Sequence, residues 1–308
     1  MSETGKLFEF RHDGVDYLKL CIDITTYWRG SAFDRVDGIV HFYKRALSII
    51  GSRLTYFETG TMSGAKPLKK DSLDMLPVWF AGSKPRADIY IMTLESGAHR
   101  NEPTDCAFYL QADEETAPPV GVARLMLPTA AAEDPRKIID LTLDLVSKLR
   151  FESGHVGFGM NWDAAGDMEI VAKDRMFDVG MRYLGVDLAD VDITLVAMNR
   201  AARPGIKVVN WLTLVGDALL DADDLRRKVN ELDGTGQCLV HQSPGGVVIQ
   251  AGPEPLLGDR NRRADLSVYE RVGQVLAPYR FSNHKKVFAG PATPGRDAWA
   301  EWLARFDG

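Results

Sequence analysis

His241 and Ser243 lie two residues apart, a spacing that puts both side chains on the same face of a β-strand. An imidazole base beside a serine hydroxyl is an arrangement that can activate a nucleophile. The Pro-Gly-Gly sequence after Ser243 is typical of a turn, and a turn explains the segment more simply. A hydrolase with a non-standard site around His241 and Asp217 is therefore kept as an alternative function.

The other patterns that could do chemistry also have simpler explanations. The glycines of residues 154–159 run G-x-x-G-x-G, the reverse of the dinucleotide fingerprint, and lie in a strand pattern. The acids of residues 221–224 suit the first turn of a helix, where they complement the helix dipole. The six histidines include no pair three or four residues apart, the usual spacing of metal ligands on a helix. We predict no catalytic residues, no cofactor and no metal.

Composition points to an acidic globular protein. The 308 residues are enough for a large hydrophobic core, and fractions of 45% hydrophobic and 26% charged residues are ordinary for this class. The formal net charge of −6 disfavours nucleic-acid binding, which usually needs a basic surface. The same charge suits a basic protein partner, because complementary potentials favour encounter.

Acidic residues cluster on both sides of one predicted strand. Such clusters usually form a solvated face, but they are also the first place to expect contacts with a basic partner. We predict a partner interface at Glu102, Asp105, Asp113, Glu114 and Glu115.

The cysteines and the termini bear on the compartment. Cys21, Cys106 and Cys238 are odd in number and far apart, which predicts buried structural thiols and no disulfide framework. The N-terminus lacks the basic and apolar regions of a signal peptide, and no apolar run of about 18 residues occurs. We predict a cytoplasmic protein that binds neither membrane nor nucleic acid; the sequence leaves its oligomeric state open.

Strand and helix patterns are mixed in the first half of the chain. Alternating apolar residues predict a half-buried strand over 15–28, and an apolar stripe predicts a helix over 34–50, ended by Gly51. Glycine, serine and lysine in 60–74 predict a mobile surface loop. Asp134 and Pro135 predict the start of a helix. Further strands are predicted at 54–57, 87–94, 106–111, 122–127 and 154–162.

The second half continues this mixture. Leu239 to His241 and Val247 to Gln250 flank a turn and predict a hairpin. Ser267 and Glu270 form a capping-box pattern at the start of one helix. Helices are predicted at 167–183, 221–232, 267–276 and 296–306.

The lack of strict alternation predicts an α+β fold with mixed or antiparallel sheets flanked by helices. Residues 17–94 and 122–162 have similar patterns, which hints at two related β–α halves in one compact body. We predict a single domain over residues 1–308, with a soft subdivision near 114–119, where charges and prolines cluster.

The most distinctive stretch is 205–261, which predicts a buried strand, a helix, and a second strand that ends in a tight Gly/Pro turn. Its first segment reads Val-Asn-Trp-Leu-Thr-Leu-Val-Gly-Asp, with Asn210, Trp211, Gly216 and Asp217. Its second reads Ala-Gly-Pro-Glu-Pro-Leu-Leu-Gly-Asp-Arg-Asn, with Gly252, Pro253, Pro255, Gly258 and Asp259. Neither segment contains a set of catalytic groups, so we interpret both as scaffold.

The pairing of these two segments resembles the type VI secretion immunity family, once classed as a domain of unknown function. The resemblance covers about 17–306 and is sharpest over 209–280. It implies a non-enzymatic cytoplasmic protein that neutralises an antibacterial effector, often a nuclease, by occluding its active site. An effector adaptor or chaperone is the alternative within the same system. The resemblance carries no catalytic motif, so no catalytic residue is transferred.

Overall fold

The computed structural model describes residues 8–12, 14–82, 85, 87–99, 102–162, 169–188, 190–286 and 297–307. Within these residues the chain forms nine α-helices and one twelve-stranded sheet, which confirms the predicted α+β class. The strands are β1 (Glu9–His12), β2 (Val15–Arg29), β3 (Tyr56–Thr59), β4 (Lys66–Pro67), β5 (Ile89–Glu95), β6 (Ala107–Asp113), β7 (Val120–Leu127), β8 (Ser153–Trp162), β9 (Asp187–Leu188), β10 (Leu212–Gly216), β11 (Cys238–Ser243) and β12 (Gly246–Ala251). The helices are α1 (Val36–Ile50), α2 (Met75–Trp79), α3 (Pro135–Val146), α4 (Glu169–Arg182), α5 (Val191–Arg200), α6 (Asp217–Leu220), α7 (Leu225–Leu232), α8 (Ser267–Leu276) and α9 (Ala298–Leu303).

The sheet has the order β11-β12-β10-β8-β2-β7-β6-β5-β3-β4, with β1 beside β2 and β9 beside β8. Its paired strands are antiparallel except β8 and β9, which are parallel. Strands β2 and β8 lie together at the centre, in register from Leu18 opposite Trp162 to Tyr27 opposite Ser153. The strands predicted at 87–94 and 106–111 are observed as β5 and β6, which pair with each other, and the predicted β11–β12 hairpin is confirmed. Residues 114–119 connect β6 to β7, which are neighbours in the sheet.

Strand β2 is buried on both faces, so the prediction of a half-buried strand was wrong. Leu20, Ile22 and Ile24 belong to the main apolar core, which also includes residues of α1. The alternate residues Asp23 and Thr25 lie on the opposite face and are fully excluded from solvent. The alternation in the sequence therefore separates an apolar face from a buried polar face.

Helix α5 was not predicted, and it covers part of this second face. Its residues Leu195 and Met198 join Tyr27 and Val122 in a separate apolar cluster. The Asp190 side chain accepts a hydrogen bond from the backbone of Ile193 and caps the helix at its N-terminus. Apolar residues are not confined to one stripe of α5, which is why the periodicity of the sequence did not mark it.

Helix α3 begins as predicted, with Asp134 Oδ1 accepting a hydrogen bond from Lys137 N at 3.3 Å. Gly51 is the C-cap residue of α1, as predicted, and its N–H donates to Leu47 O. It has a right-handed φ of −54° in place of the left-handed conformation common at such caps, and the chain continues into a 3-10 turn. The predicted capping box of α8 is not formed; Asp265 Oδ1 accepts from Ser267 N instead.

The segment 60–74 is more ordered than the predicted loop, because it contains β4 and a 3-10 helix over Lys70–Asp74. The predicted helix starts at residues 167 and 296 lie outside the described residues, and the helices are observed from Glu169 and Ala298. Trp299 and Trp302 are buried and stacked, with ring centroids 4.8 Å apart. Across the described part of the chain, none of the helices is long and apolar enough to span a membrane.

Candidate functional site

The two distinctive segments of 205–261 lie side by side. Trp211 Nε1 donates a hydrogen bond to Gly252 O at 3.0 Å, and Ala251 N donates to Trp211 O at 2.7 Å. Asn210 Oδ1 accepts from Trp211 N at 2.7 Å and fills the space that a Cβ would need at Gly157. Both Asn210 and Trp211 are buried, so these contacts tie the strand to the turn from inside the protein.

The glycines of these segments are required for one of two reasons, a close contact with the backbone or a left-handed φ. A Cβ at Gly216 would collide with the carbonyl oxygen of Phe151. Gly252 and Gly258 have φ values of 91° and 69°, the left-handed region that glycine adopts most readily. The turn therefore requires glycine for steric reasons that are unrelated to ligand binding.

The two aspartates of the same segments form ion pairs near the surface. Asp259 accepts hydrogen bonds from Arg182 Nε and Nη2 at 3.2 and 3.0 Å. Asp217 begins α6 and lies 3.0 Å from Arg226 Nη2. Between them in the chain, Pro253 is exposed and Pro255 is buried.

A cluster of buried charges occupies the polar face at the centre of the sheet. Arg124 on β7 donates to Asp23 on β2, with Nη2 2.7 Å and Nε 2.9 Å from Oδ2. Thr25 Oγ1 donates to the other oxygen of the Asp23 carboxylate at 2.6 Å. Gly159, on the neighbouring strand β8, leaves room for the Asp23 side chain. The Asp23 charge is thus fully paired although it is closed to solvent.

A second buried carboxylate belongs to the same cluster. Lys207 Nζ lies 2.9 and 2.7 Å from the two oxygens of Asp187, and His155 Nε2 lies 3.1 Å from Oδ2. Burial raises the pKa of the Asp187 carboxyl, but Lys207 and His155 outweigh burial and hold this pKa well below its usual range. Asp187 is therefore ionised and paired inside the protein.

Asp23, His155 and Asp187 are also residue types that bind metals, and one ligand atom from each lies within 4.8 Å of the others. Their distance in sequence hid this proximity. Both carboxylates already face a cation, Arg124 or Lys207. A metal ion would have to compete with these paired side chains, so the arrangement fits a structural charge network better than a metal centre.

The five acidic residues predicted as an interface lie in two groups at opposite ends of β6. Glu102 and Asp105 precede the strand, and 113–115 follow or end it. Seven strand residues separate the groups by about 23 Å along the sheet. They do not form one compact patch.

Within these groups the side chains differ in their freedom. Asp113 Oδ1 accepts hydrogen bonds from the backbone of Glu115 and Thr116, and Glu114 binds Ser31 Oγ at 2.6 Å and the backbone of residue 32. Glu115 is exposed. Glu102 accepts from the backbone of residues 98 and 99, and Asp105 lies 3.7 Å from Arg53. Of the five side chains, that of Glu115 alone has no hydrogen bond or ion pair to another described residue.

The residues of the alternative hydrolase site are not brought together. His241 Nε2 lies 2.8 Å from Gln250 Oε1. Val248 on β12 lies opposite His241 on one side and opposite Leu214 of β10 on the other, and Leu214 precedes Asp217 by three residues. Two strand spacings therefore put at least about 10 Å between the backbones of His241 and Asp217. Ser243 Oγ is buried and is not hydrogen-bonded to His241.

Comparison with known proteins gives one match that spans most of the chain. A family model described as TsiV, type VI immunity for VRR-NUC, matches residues 39–306. Among curated proteins, none matches this sequence.

Two solved structures show different degrees of likeness. The Pseudomonas aeruginosa T6SS protein PA0821 superposes with a TM-score of 0.78 at 19% identity, over 98% of this chain and 88% of that one, which shows a shared fold. The toxic C-terminal tip of CdiA from P. aeruginosa in complex with immune protein matches at 12% identity over 48% of this chain and 91% of that one. Its TM-score of 0.23 is too low to show a common fold.

The family match covers most of the chain and agrees with the resemblance carried by residues 205–261, and the chain therefore belongs to the TsiV family of type VI immunity proteins for VRR-NUC nuclease effectors.

Proposed function

We propose that the protein inhibits its effector by binding it directly and covering the surface with which the nuclease contacts nucleic acid. A nuclease needs cationic side chains to bind backbone phosphates. The formal net charge of −6 on this chain is opposite in sign, and this charge is the observation that carries the proposal. No reaction is required, because occupation of the surface by a stable complex is enough to exclude the substrate.

The proposed contacts begin with the predicted acidic residues. Glu115 supports the proposal best, because its side chain is exposed and makes no hydrogen bond or ion pair with the described residues, while Asp113 and Glu114 hold the turn that carries it. Because the backbone of the turn is already ordered, binding through Glu115 loses less conformational entropy than binding through a residue of a mobile loop. The proposed site of action is the cytoplasm, where an incoming nuclease would meet the nucleic acid of the cell.

The test combines calorimetry of the purified protein with its co-encoded VRR-NUC effector, a nuclease assay, and DNA binding by fluorescence anisotropy. We expect nanomolar one-to-one binding, loss of cleavage, and loss of DNA binding by the complex. An inhibited complex that still binds DNA would replace occlusion by an allosteric mechanism. A complex that still cleaves DNA would assign the protein to effector loading instead, and no binding at all would reject direct inhibition.

A further inference from the structure

A groove of about 760 Å³ is lined by residues of helices α1 and α3 and of the 3-10 segment Thr129–Glu133. Its floor is apolar. Leu127 and Ile138 lie in the floor, and Ile49 of α1 is 37% exposed at its side. The groove lies on the apolar side of the sheet, away from the buried charge network of Asp23 and Asp187.

The rim of the groove carries more acids than bases. Four carboxylates, from Glu133, Asp134, Asp140 and Asp144, face two cations, Arg45 and Lys137, which leaves a formal charge of −2.

The two cations are already engaged within the protein. Arg45 Nε lies 2.6 Å from Asp144 Oδ2, and Lys137 Nζ lies 2.8 Å from Asp134 Oδ2. Asp134 in addition caps α3. The uncompensated charges are therefore those of the two other acids, whose side chains are exposed and make no hydrogen bond or ion pair with the described part of the chain.

Another acidic residue extends this surface. The start of β6 is paired with the end of β7, with Ala107 opposite Met126, so Asp105 lies at the same edge of the sheet as Leu127. Arg53, just after α1, bridges toward Asp105 at 3.7 Å. The groove and the group of Glu102 and Asp105 thus lie near the same ends of β6 and β7, whereas Glu115 lies at the other end of β6.

We infer that this groove seats a basic, amphipathic segment of the VRR-NUC effector. Apolar side chains of the segment pack on the floor beside Ile49 and Ile138, and its lysines or arginines pair with Glu133 and Asp140. An apolar centre with a charged rim is the usual anatomy of a binding hot spot. The inference deepens the proposed function and rests on it, since the occupant is identified by the positive charge that a nuclease carries.

The test is a double charge reversal, Glu133→Lys with Asp140→Lys, measured by calorimetry against the co-encoded effector. These residues are chosen because Asp134 and Asp144 have internal partners and their loss would disturb the fold. We expect Kd to rise about 100-fold or more, as for a desolvated interface charge.

The matched control is Glu254→Lys with Glu270→Lys. Both glutamates are exposed, and the control changes the net charge by the same amount. Glu270 lies on α8, which packs against β12, and three other strands of the sheet lie between β12 and β7. The control loses the same long-range attraction but no groove contact, so we expect its Kd to rise less than about tenfold. Circular dichroism and the urea midpoint verify that each variant is folded.

A third variant, Ile49→Ser, probes the apolar side of the groove without a change of charge, and we expect about tenfold weaker binding. If the wild type and the groove variants bind the effector equally well, the inference that the groove is the binding site is overturned, and the proposed function stands. A wild-type protein that does not bind would reject the proposed function itself. A dimer seen by light scattering and dissolved by the double reversal would assign the groove to a second copy of this chain and overturn the inference.

Discussion

Lys207 and Asp187 form an ion pair that is closed to solvent, with Nζ 2.7 Å from Oδ2 and side-chain exposures of 1% and 0%. Lys207 Nζ also donates to the backbone carbonyl of Leu188 at 3.0 Å. The pair links strand β9 to the segment that leads into β10. It therefore joins two parts of the chain that no local sequence pattern connects.

Removal of this lysine should leave a buried carboxylate without its main partner. We expect Lys207→Met to lower the free energy of unfolding by about 3–5 kcal/mol, because an uncompensated charge remains in a dry environment. Urea unfolding at neutral pH measures the change. Arg226→Met breaks the exposed pairs with Asp217 and Asp221 and should cost less than about 1 kcal/mol. If the two substitutions lowered the free energy of unfolding equally, the buried pair would not contribute more to stability than the exposed pairs, contrary to this prediction.

His284 should make stability depend on pH. Its Nε2 lies 3.0 Å from Thr194 Oγ1, and burial followed by the charge of Lys207 lowers its pKa from 6.5 to about 4. Between these values the unfolded chain binds a proton that the folded protein does not, so stability falls as pH decreases from about 6.5 toward 4. From pH 7.5 to pH 5.0 this one group should cost about 2 kcal/mol.

The measurement compares urea unfolding of the wild type and His284→Gln at these two pH values. The variant loses some stability at every pH, so the informative quantity is the difference between the two pH values. We expect that difference to be smaller in the variant by about 2 kcal/mol. An identical pH dependence in both proteins would show that His284 is not held neutral by burial.

Two glycines should respond in opposite ways to the same substitution. A Cβ at Gly121 would collide with the buried indole ring of Trp28 and with the carbonyl oxygen of Gln111. Gly121→Ala should therefore destabilise the protein by about 1–3 kcal/mol. Gly51 has a right-handed φ of −54°, and an added Cβ would lie 3.9 Å from Leu47 Cβ, an ordinary van der Waals contact, so Gly51→Ala should be neutral or stabilising by up to about 1 kcal/mol. Thermal and urea unfolding measure both, and a destabilised Gly51→Ala would reveal a role for this glycine that its backbone angles do not require.

Charge complementarity with the effector predicts a strong effect of salt on association. We expect the association rate constant to fall at least about tenfold between 50 and 500 mM NaCl, because screening shortens the range of attraction between the acidic surface and a basic partner. The dissociation rate constant should change much less. Surface plasmon resonance at several salt concentrations separates the two constants, and an association rate that does not depend on salt would count against the proposed charge pairing.

Local patterns in the sequence predicted much of the fold. The start of α3 follows from Asp134 and Pro135, because a cap and a preset φ act within one helical turn. The β11–β12 hairpin follows from the turn residues Pro244 and Gly245 between two apolar runs. The segments around Trp211 and Gly252 were distinctive enough to indicate the family, which the match over residues 39–306 confirms.

The candidate sites depended on contacts that lie far apart in the chain. In the sequence the acidic residues lie within 14 positions of one another, which suggested one surface. The extended strand β6 instead holds Glu102 and Glu115 beyond its opposite ends. The groove could not be predicted because its two helices are neighbours in space but far apart in the chain. More than 80 residues and five strands lie between α1 and α3 in the sequence. Their apolar stripes indicated burial without indicating where the burial would be incomplete.

The sequence by itself determined the α+β class, the main helices and strands, and the family, because each of these depends on residue periodicity or on short segments. Only the tertiary structure decided that the polar face of β2 is buried. Asp23 alternates with apolar residues and therefore resembles a solvent-facing position, yet Arg124 from β7 neutralises it inside the protein. A polar residue can be buried wherever a partner of opposite charge is brought beside it, and the partner's position is fixed by the packing of the sheet, not by the local sequence.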